Sequence, residues 1–145
     1  IIKIIRNCTI VMMSILYVAI GLKHFLDPDF FLLIMPPYLP FHLELVYISG
    51  FFEILFGGFL LFKKYRRISS LGLVVLLIAV FPANIYLHQF PEILNVEKSK
   101  TLVRLFFQIP LILIALWHSQ ENWPKPFSVL CILLFIPTII YFLSL

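Results

Sequence analysis

Five apolar runs, at residues 4–25, 45–62, 68–88, 102–118 and 127–145, dominate the chain. Each approaches the ~20 residues that a helix needs to cross the hydrocarbon core of a bilayer. The shorter runs need tilt or snorkelling flanks to span it. A chain of 145 residues that is 62% hydrophobic and 12% charged cannot hide this much apolar surface as a small water-soluble domain. Lipid is the remaining solvent. A membrane β-barrel would alternate apolar and polar residues in segments of about ten, and these runs do not alternate. The expected fold is an all-α membrane protein: a four-helix transmembrane bundle plus a fifth C-terminal transmembrane helix, in a single domain. The first run is too long for a signal peptide's apolar region and lacks a small-x-small cleavage pattern.

Basic residues set the expected orientation. Lys3 and Arg6 stand at the start of the first run, and Lys63, Lys64, Arg66 and Arg67 fill the connection between the second and third. Lys125 falls on the same side. Asp27, Asp29, Glu44, Glu92 and Glu97 fall on the other. The positive-inside rule then makes the N-terminus cytoplasmic. The formal charge of +4 is an orientation signal in this reading, and the short basic cluster beside membrane does not point to nucleic acid. Cys8 and Cys131 form no C-x-x-C pair and read as buried thiols.

The connection at 27–40 reads as a short helix lying at the outer membrane face. Asp27 caps it, Pro28 fits its first turn, and Pro36, Pro37 and Pro40 stop it. It is either a lid over a cavity or an interfacial anchor. Gly50 and Gly57, seven residues apart, share one helix face and permit close approach of a neighbour. Pro82 and Pro110 interrupt the third and fourth runs and free backbone carbonyls that a neighbour must satisfy. Trp123-Pro124-Lys125-Pro126 reads as an interfacial turn.

Glu53 is the sole formal charge in the run 45–62. A carboxylate at that depth costs about 3 kcal/mol on insertion scales, so it is a functional candidate by default. His24, Asn84, Arg104 and Gln108 are the polar residues of the other runs, and helix rise places all of them in the outer half of the bilayer or at its rim. Side chains lean toward their own helix N-terminus, so His24, Asn84 and Glu53 converge, while Arg104 leans away. The expectation is one shared polar pocket, with Glu53 as proton acceptor or relay and His24, Asn84, Arg104 and Gln108 as ligand-binding groups. Tyr38, Tyr47 and Tyr86 line its mouth or belong to an interfacial aromatic belt. No metal site is expected: His24, His42, His88 and His118 lack ligand spacing, and no C-x-x-C-H haem motif occurs.

Gly21-Leu22-Lys23-His24-Phe25, Met35-Pro36-Pro37-Tyr38-Leu39-Pro40, Ser49-Gly50-Phe51-Phe52-Glu53-Ile54, Phe81-Pro82-Ala83-Asn84-Ile85-Tyr86 and Arg104-Leu105-Phe106-Phe107-Gln108-Ile109-Pro110 occur in this order. The set resembles the DoxX-like family of small bacterial membrane proteins, over about residues 10–118. The resemblance implies a four-helix core from the first four runs; segment 127–145 departs from that compact pattern, and the expectation is that it packs on the outside. It also implies a bacterial cytoplasmic membrane and a membrane redox process, since relatives include a subunit associated with thiosulfate:quinone oxidoreduction. A more distant likeness is to an animal chaperone that assembles acetylcholine receptors. Two functional expectations follow. One is a pocket opening to the outer face that binds a quinone-like or small amphipathic molecule for a membrane redox partner. The other is a non-enzymatic assembly or scaffold protein, homo-oligomeric or with a partner, whose polar cluster is structural.

Overall fold

The computed structural model describes residues 1–93 and 95–143, and leaves aside the side chains of residues 142 and 143. The last two residues of the expected fifth run lie outside the described residues. The chain is helical throughout: α1 (Ile2–Leu26), α2 (Pro28–Leu33), α3 (His42–Phe59), α4 (Arg66–Ala79), α5 (Phe81–Gln89), α6 (Lys98–His118) and α7 (Lys125–Leu143), with one 3-10 turn at Pro91–Ile93. No strand occurs among the described residues. Four stretches, Ile2–Leu26, His42–Phe59, Arg66–Gln89 and Lys98–His118, are long and apolar enough to cross a membrane, and Lys125–Tyr141 is a shorter apolar helix.

The two interrupting prolines behave differently. Pro82 splits the third run into α4 and α5 and occupies the first turn of α5, where its missing N–H costs no helical hydrogen bond. Pro110 does not split α6, which runs unbroken from Lys98 to His118. Asp27 precedes α2 as expected, but its side chain makes no capping bond; Pro28 at the first turn supplies the start. At the basic end, Arg66 donates from Nε to the Leu60 carbonyl at 2.9 Å and from Nη2 to that of Leu61 at 3.3 Å. It thereby satisfies carbonyls that α3 leaves open at its C-terminus.

Packing runs around a ring. α1 lies along α3, α3 against α4, α4 against α6, α6 against α7, and α7 returns to α1. The common core takes Ile10, Met13 and Tyr17 from α1, Leu60 after α3, Leu73 and Leu77 from α4, and Leu111, Ile114 and Ala115 from α6. Phe135 and Ile139 of α7 belong to the same core. The expectation that this segment packs outside the bundle is therefore corrected: α7 fills the gap between α6 and α1. Outward faces stay apolar, with Ile15, Phe51, Val75, Phe106 and Leu133 all exposed. That pattern suits a bundle solvated by hydrocarbon, where helix association comes from close packing and hydrogen bonds instead of a drive to leave water.

Candidate functional site

The expected constellation forms as two clusters on different helix pairs. The first lies between α1 and α3, where glycines bring the backbones together. A Cβ on Gly50 would sit 2.5 Å from the His24 Cβ and 3.1 Å from the Gly21 carbonyl oxygen. A Cβ on Gly21 would meet the Gly50 carbonyl oxygen at 2.8 Å, and one on Gly57 would meet the Tyr17 Cβ at 2.8 Å. Ser14 adds a bond from Oγ to the Gly57 carbonyl at 2.5 Å. Tyr17, Gly21 and His24 on α1 thus face Gly50, Glu53 and Gly57 on α3.

In this seam His24 Nδ1 stands 2.9 Å from the Ile20 carbonyl oxygen and 3.3 Å from Glu53 Oε2. A carbonyl only accepts, so Nδ1 carries a proton and donates it along its own helix. The longer approach to Glu53 does not satisfy the carboxyl: Oε2 is buried and, among the described residues, has no hydrogen-bond partner. The hydroxyl of Tyr17 is in the same condition. Tyr17 is only 4% exposed, and it lies within electrostatic range of the Glu53 carboxyl. Above His24, α2 closes over the seam. Phe31 stacks on the imidazole with ring centroids 3.7 Å apart and planes 16° from parallel. Phe30 lies under the Lys23 ammonium at 4.5 Å. The short helix therefore covers the His24 end of the site.

The second cluster joins α4, α5 and α6 and is closed on itself. Arg104 Nε donates to Asn84 Oδ1 at 2.9 Å, Asn84 Nδ2 donates to Gln108 Oε1 at 2.7 Å, and Gln108 Nε2 donates to the Leu77 carbonyl at 3.2 Å. Leu77 is in the last turn of α4, where Pro82 ends the helical ladder. The chain of amides thus delivers a donor to a backbone group stranded by the break, which is costly to leave unpaired in an apolar interior. His88 does not join Asn84. Its Nδ1 pairs with Thr101 Oγ1 at 2.9 Å.

Glu53 and His24 are thus brought together, as expected. Asn84, Arg104 and Gln108 are also brought together. Among the described residues, no hydrogen bond or ion pair joins the two sets. Arg104 does not supply the cation for Glu53 because it is engaged by Asn84, one helix pair away. Tyr38 is 73% exposed; Tyr47 stacks on Phe25 on the outer surface of α1 and α3. Among the described residues, no group of three or more His, Cys, Asp or Glu side chains could hold a metal ion.

A third polar cluster has no counterpart in the sequence reading. Arg6 is expected as an interfacial charge, yet it is 5% exposed. Its guanidinium caps the end of α6, donating to the His118 carbonyl at 3.1 Å and the Gln120 carbonyl at 2.9 Å. Thr9 Oγ1 donates to the Arg6 carbonyl at 2.7 Å, so it accepts from His118 Nε2 at 3.0 Å. Trp123 Nε1 also turns inward, to the Trp117 carbonyl at 3.0 Å. The only sequence signal is that Arg6 opens one long run while His118 closes another. Cys8, expected to be buried, is exposed; Cys131 is buried.

A family model described as a domain of unknown function (DUF8561) matches residues 13–119. The chain belongs to that family. The matched region contains Tyr17, His24, Glu53 and the complete Arg104–Asn84–Gln108 network, and it stops before α7. No curated protein and no solved structure matches the chain.

Proposed function

We propose that this protein is a DoxX-like integral membrane protein of a bacterial cytoplasmic membrane, with its N-terminus cytoplasmic. In this reading it binds a small amphipathic, quinone-like molecule in the α1–α3 seam and serves a membrane redox process. One observation carries the reading: among the described residues, Glu53 Oε2 is buried without a hydrogen-bond partner beside His24. A carboxyl left unpaired in an apolar bundle costs more than a paired one, so its retention fits a group that meets a ligand. Glu53 accepts or relays a proton there, His24 orients the carboxyl, and Phe31 of α2 covers the entrance. The distribution of Lys and Arg supports the orientation.

Roles within the expected ligand set divide accordingly. Glu53 and His24 keep a ligand role. Asn84 and Gln108 spend their amides on each other, on Arg104 Nε and on the Leu77 carbonyl. That closure favours a second reading for their part of the molecule, a scaffold whose polar groups lock helices together for assembly with a partner. Electrons for any redox step come from a partner protein or a bound cofactor.

Purified wild-type protein and Glu53→Gln, extracted with organic solvent and analysed by native mass spectrometry, separate the readings. About one quinone per chain in the wild type, lost in a folded Glu53→Gln, supports the ligand site. An equal yield from both proteins, or none from either, with only thermal stability changed, supports the scaffold.

A further inference from the structure

Tyr17 belongs to no role assigned so far. It is a core residue of α1, in the same buried cluster as Met13, Leu73 and Leu111, yet a phenol in an apolar core normally finds a hydrogen-bond partner for its hydroxyl. Here the hydroxyl is buried and, among the described residues, has none. Glu53 Oε2, on the facing helix one turn from the glycine that packs on Tyr17, is also buried and has none among the described residues. Gly57, one turn beyond Glu53, lies directly against the Tyr17 Cβ, so the two helices cannot drift apart without opening this contact. Two unmet polar atoms on opposite sides of one tight seam are an incomplete hydrogen-bonding arrangement. Either atom alone could be a tolerated defect; together they define what would complete them.

We propose that the Tyr17 hydroxyl and the Glu53 carboxyl together hold a single hydroxyl-bearing group in the bundle interior. A hydroxyl accepts from the Tyr17 O–H and donates to Glu53 Oε2 with the same oxygen. The group belongs to an amphipathic ligand with a hydroxyl at its head, or is a water of the same chemistry. This inference deepens the ligand reading, in that it names Tyr17 as a binding residue and a hydroxyl as the group recognised.

The two states of the site make opposite predictions for Tyr17→Phe. If the hydroxyl were truly unpaired, deleting it would leave stability unchanged or raise it. If it holds a shared group, deleting it breaks a bond and strands that group. A thermal double-mutant cycle of Tyr17→Phe and Glu53→Gln on the full chain in detergent tests this. Circular dichroism would confirm helical folding of each variant. The expected result is that Tyr17→Phe lowers the unfolding midpoint by about 3 °C and that the double variant loses less than the sum of the singles. Tyr17→Phe at or above the wild-type midpoint, or strict additivity, overturns the proposal. Repeating the cycle after exhaustive delipidation identifies the source. Coupling that disappears, with a hydroxylated amphiphile in the extract, assigns a ligand. Coupling that survives, with no amphiphile extracted, assigns water, and would sink the ligand reading of the seam while leaving the shared hydroxyl intact.

Discussion

Glu53 and Arg104 are both ionisable side chains of apolar helices, and each depends on different neighbours. Arg104 Nε is taken by the Asn84 amide; among the described residues Glu53 is approached by an imidazole whose proton is already committed to Ile20. The glycines beside Glu53 make that difference possible. Gly50 lets the His24 side chain lie against α3, and any larger residue would press into it. Gly50→Ala is therefore expected to destabilise the protein by about 1–3 kcal/mol through overpacking. Gly58, one residue past Gly57, is different: a Cβ added there would meet nothing within 4 Å. Gly58→Ala should be neutral or stabilising by up to about 1 kcal/mol. Midpoints of thermal unfolding for the two variants check the contrast. Equal effects would mean that the α1–α3 approach is not as close as described.

At the scale of elements, run length and hydropathy were enough to place the helices, because a span must satisfy its backbone internally and stay apolar over a fixed length. Pro82 also announced a break and the need for a donor. The identity of that donor was not legible. Gln108 is distant in sequence from Leu77, and amide pairing across helices depends on their rotation about their own axes. The same limit hid the separation of the polar residues: shared depth was readable, shared azimuth was not. Tyr17 shares a helix face with Gly21 and His24 by spacing alone, but spacing does not say what its hydroxyl meets. Arg6 was misplaced because a basic residue opening a span resembles an anchor. The role given to Gln108 predicts a structural phenotype. Gln108→Leu strands the Leu77 carbonyl and the Asn84 amide, and should cost about 1–3 kcal/mol without reducing ligand recovered from the α1–α3 seam. Parallel thermal unfolding and ligand extraction check it. Loss of ligand with unchanged stability would return Gln108 to the binding site.

For the whole molecule, seven of the eleven Lys and Arg residues collect where α1, α4 and α7 begin and α3 and α6 end, and that end is also tied by Arg6 and Arg66 to helix C-termini. The opposite end carries α2 over the His24 side of the seam. A cytoplasmic N-terminus predicts that, in a chain with Cys8 and Cys131 replaced by Ser, Tyr38→Cys reacts with a membrane-impermeant maleimide in intact cells. Lys63→Cys should react only after permeabilisation. The reverse pattern would invert the topology. The central claim is that Glu53 works with α1 and independently of the α5–α6 network. Unfolding double-mutant cycles pairing Glu53→Gln with His24→Phe and with Arg104→Met test it directly. The expected coupling is about 1 kcal/mol or more for Glu53 with His24, and additivity within about 0.5 kcal/mol for Glu53 with Arg104. Strong coupling to Arg104 together with additivity at His24 would contradict the account and restore a single polar site.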